Sequence, residues 1–129
     1  MITYRETQDV DLDQLAVLLR AAGWDRGEDR ARLAQQVAGA RYVVSAWDGG
    51  RLVGFARAIS DGATNGYVST VAVLPEYRGR GIGRAMIGRL LEGKDGIQFV
   101  LHARREVKEF YARCGFSEAE DMMRRPRKF

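Results

Sequence analysis

The segment Val71-Ala72-Val73-Leu74-Pro75-Glu76-Tyr77-Arg78-Gly79-Arg80-Gly81-Ile82-Gly83-Arg84 constrains this chain more than any other stretch. A β-branched apolar run closed by a proline predicts a strand that ends at Leu74. Beyond it, Ile82, Met86, Ile87, Leu90 and Leu91 mark one face of a helix from Gly81 to about Glu92. Between the two, Gly79, Gly81 and Gly83 predict a tight turn. A strand that enters a helix through such a turn gathers backbone N–H groups at one point. The helix adds unpaired N–H donors and the positive end of its dipole. Three missing side chains leave room for a bulky anion, and Arg78, Arg80 and Arg84 surround the point with positive charge. Together these residues predict a cradle for phosphate or pyrophosphate. A merely tight turn is the plain alternative, and the preceding strand and the arginines argue against it.

Two familiar cradles fail on the residues themselves. A dinucleotide fingerprint needs G-x-G-x-x-G, but its last position falls on Arg84 counting from Gly79, and on Met86 counting from Gly81. The next strand closes as Val100-Leu101-His102, with no acidic residue for a ribose. The Gly-Lys-Ser/Thr of a P-loop is absent.

The rest of the chain shows what carries this segment. Its 129 residues suit a single domain over 1–129, without repeat, low-complexity tract or linker. With 46% hydrophobic and 29% charged residues the composition is globular, which excludes disorder, collagen and a disulfide scaffold. The single cysteine, Cys114, permits no internal disulfide. No signal-like start and no spanning apolar run are visible, so a cytoplasmic protein without membrane attachment is expected. The net charge of +4 attracts anions without choosing among them, and the basic tail Arg124-Arg125-Pro126-Arg127-Lys128 reads as a solvated terminus.

Ile2 to Arg5 predicts a strand. Asp11 caps a first helix with Gln14 as its capping-box partner and Val10 and Leu15 as a hydrophobic staple; Gly23 stops it. Asp29 caps a second helix that ends near Gly39. Tyr42 to Trp47 and Leu52 to Ile59 form a hairpin through Asp48-Gly49-Gly50-Arg51, and Tyr67 to Leu74 follows the turn Asp61-Gly62-Ala63-Thr64-Asn65-Gly66. Ile97 to Leu101 is a strand reached through a helix, hence parallel to the one before it. Val107, Phe110, Tyr111 and Cys114 mark a last helix stopped by Gly115, with Phe116 folding back. The residues beyond Phe116 are expected to add one or two strands. This order gives an α/β (α+β) fold with a mixed sheet covered by helices on both faces.

The glycine segment resembles the acyl-CoA signature of the GNAT superfamily of N-acetyltransferases, Q/R-x-x-G-x-G/A, here Arg78-Gly79-Arg80-Gly81-Ile82-Gly83. Glu109-Phe110-Tyr111-Ala112-Arg113-Cys114-Gly115-Phe116 resembles its second signature, an FYxxxGF helix end, in the family's order and at about its spacing. The resemblance covers about Tyr42 to Phe116. It implies a largely antiparallel sheet of six or seven strands with about four helices, its parallel pair splayed for coenzyme A. It also implies acetyl transfer from acetyl-CoA to a primary amine by direct attack, through a tetrahedral intermediate. The amides from Arg78 to Arg84 would hold the pyrophosphate. The strand Val71-Ala72-Val73 would pair with the pantetheine arm through Val71 and Val73, and a backbone N–H near Val73 would polarise the acetyl carbonyl. Tyr111 would protonate the leaving thiolate; on its own, in an apolar stripe, it reads as core.

The resemblance breaks at the base. Several members carry a glutamate on the cofactor-binding strand, where this chain has Tyr67, Ser69, Thr70, Val71 and Val73. Asp61, Glu76 and a water chain remain open as the base, each carboxylate reading equally as a loop residue. His102 reads as structural, Cys114 as a buried small hydrophobe, and no metal site is expected. Trp24-Asp25-Arg26-Gly27-Glu28-Asp29 joins the first two helices, where its acidic residues either meet a cationic amine or are solvated. The acceptor is a small molecule or a peptide, and a homodimer is an open possibility. A non-catalytic acyl-CoA binder or sensor of the same fold is the alternative. A nucleic-acid-binding domain would explain the charge and leave the cradle unexplained.

Overall fold

A computed structural model describes residues 1–24 and 29–128. Strand β1 (Ile2–Arg5) is followed by helices α1 (Leu12–Ala21) and α2 (Arg30–Ala38). Strands β2 (Tyr42–Asp48), β3 (Arg51–Ser60) and β4 (Asn65–Val73) come next, then helix α3 (Ile82–Leu91), strand β5 (Gln98–Leu101) and helix α4 (Lys108–Arg113). Short 3-10 turns occupy Pro75–Tyr77 and Arg105–Val107. One sheet runs β1-β2-β3-β4-β5, antiparallel throughout except for the parallel β4–β5 pair.

The expected class holds, with five strands among the described residues rather than six or seven. The one or two strands expected after Phe116 are absent: residues 117–128 form no strand, and all are exposed. Their sequence explains this. Glu118-Ala119-Glu120-Asp121 and Arg124-Arg125-Pro126-Arg127-Lys128 offer no apolar alternation to bury, and a proline cannot donate to a ladder. Instead the tail is held by polar contacts, Lys108 Nζ to Glu118 Oε1 at 2.6 Å and Arg124 Nη1 against His102 Nε2 at 3.4 Å.

The core lies in the middle of the sheet. Leu52 to Ala56 of β3 are buried without a break, which requires cover on both faces. α3 supplies it on one side, α1 and α2 on the other. Leu15, Leu18 and Leu19 of α1 are buried, as are Met86, Ile87 and Leu90 of α3. A Cβ at Gly54 would lie 3.0 Å from Met86 Cε and 3.2 Å from Ala46 Cβ, so the missing side chain lets α3 sit close upon the sheet. Among the described residues no helix is long and apolar enough to cross a membrane.

Local signals behave as their chemistry demands, with one exception. Asp11 accepts from the N–H of Asp13 and Gln14, and Asp29 from that of Arg32, as N-caps do. The capping box closes only between side chains, Gln14 Nε2 donating to Asp11 Oδ2 at 3.4 Å. The Gln14 side chain reaches the β2–β3 hairpin, where Oε1 accepts from Leu52 N–H at 2.8 Å and Nε2 donates to Gly50 C=O at 3.0 Å. A polar clip from helix to hairpin is thus added to the local contact. At the other end of β3, Asp61 accepts from the N–H groups of Ala63, Thr64 and Asn65 and from the Thr64 hydroxyl. These bonds, those from Thr64 and Ala63 foremost, hold its carboxyl well below the usual range. A depressed native pKa stabilises above the unfolded carboxyl's pKa and loses that effect as pH falls through the native one. Asp61→Asn should therefore lower Tm at pH 7, and the deficit should shrink on acidification in a pH series of thermal melts.

Candidate active site

β4 outruns β5, which leaves part of its edge without a strand partner. Pairing runs from Asn65–Gln98 to Val68–Leu101 and stops, while β4 continues to Val73. A bulge opens at this point: Arg57 faces Thr70 and Ala58 faces Val68, so Ser69 has no partner on β3. The Arg57 side chain spans the bulge, with Nη2 3.0 Å from Ser69 Oγ and Nε 3.2 Å from Thr70 Oγ1.

The free edge of β4 follows from alternation. Leu74 N–H donates across to Val53 C=O of β3 at 2.9 Å. Main-chain groups switch edges at each residue, so those of Ala72 also face β3, and those of Val71 and Val73 face the open cleft. Ala72 thus turns its main chain and its buried side chain away from the cleft. Val71 and Val73 present the donors and acceptors that an added strand would use.

The cleft leads to the glycine turn. Gly79 (φ +78°) and Gly81 (φ +80°) are both left-handed, a conformation that favours glycine, and a Cβ on either would meet nothing within 4 Å. Gly81 is the N-cap of α3 and has no side chain to cap it. The first intrahelical bond is Ala85 N–H to Gly81 C=O at 3.0 Å, so the N–H groups of Ile82, Gly83 and Arg84 precede the ladder. Arg78, Arg80 and Arg84 are exposed around them. The residues fit a diphosphate: open approach, aligned donors, helix dipole and cations. Gly83 serves a different purpose, because a Cβ there would lie 3.2 Å from Phe110 Cζ and 3.9 Å from Val73 Cγ2.

That contact docks α4 on the first turn of α3 and brings the second motif to the cradle. The Tyr111 ring packs edge-on against Phe110 and Phe116, with centroids 5.0 and 6.0 Å away. Gly115 (φ +98°) ends the helix, and Phe116 N–H returns to Tyr111 C=O at 3.0 Å. Burial first, and the Cys114 thiol second, push the Tyr111 hydroxyl above its ordinary pKa, so it is protonated at neutral pH. Cys114 is half-buried rather than buried, because the last helix lies at the rim of the core; burial still raises its thiol, opposed by Arg84.

The open residues separate clearly. Asp61 is spent on its turn at the far end of β4. Glu76 is held ionised by its own backbone N–H and by Arg51 at 3.0 Å, which leaves it a poor base. His102 is exposed. Asp29 caps α2, while Asp25 and Glu28 lie outside the described residues. Among the described residues no cluster of three metal-ligating side chains occurs. Sequence reasoning missed Arg57, Asp48 and Tyr77. Arg57 and Asp48 meet their partners only through strand register and hairpin closure, which no local motif announces.

This geometry finds its counterpart among known proteins. Residues 39–118 match the family model for the acetyltransferase (GNAT) domain, and the chain belongs to that family. It is 33% identical over 129 residues to a histone acetyltransferase of Glycine max, covering 89% of this chain and 55% of that protein. It is 42% identical over 78 residues to the chloroplastic serotonin N-acetyltransferase 2 of Oryza sativa subsp. japonica, covering 58% and 39%. The chain thus spans about half the length of these relatives. A GNAT-family acetyltransferase from Streptococcus pneumoniae superposes with TM-score 0.80 at 26% identity, covering 99% of this chain and 100% of that one. The PaiA N-acetyltransferase of Thermoplasma acidophilum, solved in complex with coenzyme A, shares the fold with TM-score 0.75 at 18% identity, covering 95% and 93%.

Proposed function

We propose that this chain transfers an acetyl group from acetyl-CoA to a primary amine. One observation carries the reading: the free edge of β4 at Val71 and Val73 runs into the open N-terminus of α3, with Tyr111 docked beside it through Phe110 and Gly83. An extended thioester arm fits the edge and a diphosphate fits the turn. In this reading an N–H at the Val73 end of the strand steadies the oxygen of the tetrahedral intermediate. The amine forms the new C–N bond, the C–S bond breaks, Tyr111 gives its proton to the departing sulfur, and the proton shed by the amine nitrogen passes through water to restore the Tyr111 hydroxyl. Family membership and the coenzyme A complex of a structural neighbour support the donor; the acceptor is open to small amines and peptides alike.

No carboxylate stands on β4 to deprotonate the amine, so free amine comes from its own equilibrium with water. For a lysine-like amine, the acceptor's ordinary pKa near 10.4 then sets the pH profile. We expect kcat/KM to rise about tenfold per pH unit from 6 to 9 without a falling limb, because Tyr111 stays protonated throughout. A screen of amines with thiol release as the readout tests the reading, and the same assay at stepped pH tests the profile. A plateau near pH 7 would mean that a base is present after all. The missing carboxylate favours the runner-up, a non-catalytic acyl-CoA binder, which binds CoA and releases no thiol with any amine.

A further inference from the structure

A turn built on two left-handed glycines is pliable, and affinity for a diphosphate depends on its being held in place. What holds it here is a side-chain assembly that reaches beyond the glycine signature to the β2–β3 hairpin. Tyr77, at the end of the 3-10 turn, is 9% exposed. Its hydroxyl donates to Asp48 Oδ2 at 2.5 Å. Asp48 ends β2, and Arg51, two glycines later, starts β3. Arg51 returns toward the turn, its Nη2 3.0 Å from Glu76 Oε2 and its Cζ 5.6 Å from the Tyr77 ring centroid. A second cation, Arg80, lies within the glycine turn. Its Cζ is 4.7 Å from the Tyr77 ring and its Nη2 donates to Glu76 C=O at 3.2 Å. Tyr77 therefore ties the turn to the hairpin and gives Arg80 a surface to rest on. The hairpin is itself clipped to α1 by Gln14, as described above, so the anchor is fixed at both ends.

We propose that Tyr77 is a positioning residue for the diphosphate of the donor: its hydroxyl fixes the glycine turn against Asp48, and its ring holds Arg80 at the mouth of the cradle. The assignment rests on the acyl-CoA reading of the site. It acts on the phosphorylated half of the donor and leaves the thioester chemistry to other residues. Asp48 keeps the hydroxyl protonated as a donor, since this bond and burial raise its pKa. Arg51 and Arg80 both place a guanidinium over the ring.

Two donors distinguish positioning from general damage. Acetyl-CoA carries the diphosphate; acetylpantetheine carries the thioester arm alone. The quantity read is the ratio of kcat/KM for acetyl-CoA to that for acetylpantetheine, with the acceptor amine fixed. Tyr77→Phe removes one hydroxyl and keeps the buried ring, and should lower the ratio about 10- to 150-fold, the equivalent of one charge-assisted hydrogen bond. Asp48→Asn removes the charge and keeps an acceptor, and should lower it less. Tyr77→Leu removes the ring beneath Arg80 as well and should lower it more. The loss should appear as a raised KM for acetyl-CoA with kcat nearly kept, and as an equal rise in Kd for CoA by calorimetry. A ratio equal to wild type in Tyr77→Phe and Asp48→Asn would overturn the assignment, whether both rates hold or both fall together. Wild type without affinity for CoA would instead remove the donor reading itself, and this assignment with it.

Discussion

Tyr111→Phe should slow acetyl transfer in a single turnover by about 10²–10⁴-fold, the range for a positioned general acid. The change removes one oxygen and keeps the ring between Phe110 and Phe116, so the aromatic contacts and CoA affinity are retained. The expectation is clean because the hydroxyl makes no hydrogen bond with the described residues and supports nothing else. Burial keeps it protonated, as an acid facing a leaving thiolate must be. Single-turnover measurement separates this step from product release. A rate within threefold of wild type would sink the acid role, leave water as the proton source, and leave the cradle untouched.

Gly81→Trp should weaken CoA binding by about 10²–10⁴-fold, the equivalent of two lost charge-assisted hydrogen bonds at about 1.5–3 kcal/mol each. The side chain would project from the N-cap into open space, where the anion must approach. A non-glycine residue at φ +80° also strains the backbone by about 1–2 kcal/mol, and Gly93→Trp controls for that. Gly93 has φ +72° beyond the far end of α3, with equally open surroundings. Calorimetric titration should find CoA affinity lost in the first variant and kept in the second. Equal affinities would remove the cradle from the mechanism. Gly83→Trp is a poorer probe, since its side chain would strike Phe110 and displace Tyr111 along with any ligand.

Features written in short-range chemistry were legible in the sequence. Asp11 and Asp29 cap their helices, Gly49-Gly50 turns the hairpin, and Gly115 stops α4, because each needs only its own neighbours. The glycine turn was legible for the same reason: strand, turn and helix follow one another without interruption. Gln14 shows where this stops. Its spacing suits a capping box, yet its two shorter bonds go to the hairpin and the local one, to Asp11 Oδ2, is left at 3.4 Å. The bulge at Ser69 comes from the pairing of distant strands, so nothing near Ser69 announces it. Gly83 looked like part of the anion site, and only the docking of Phe110 shows why a side chain is excluded there. The strands expected after Phe116 were read from the order of elements; the tail's own residues lack the alternation to form them.

The two walls of the cleft are unequal. β4 is laddered to β3 along its length and contributes Val68, Thr70 and Ala72 to the interior. β5 is held by a ladder of four residues, and neither β5 nor α4 contains a buried residue. Local opening costs least where few buried contacts resist it, so the wall that carries Tyr111 is the one that breathes. In the proposed reading, a donor arm laid between the walls would act as a temporary sixth strand, joining the loose wall to the firm one. Order around the reacting atoms would then be supplied partly by the substrate itself. By mass action, the fold would tighten as donor concentration rises and relax as product leaves.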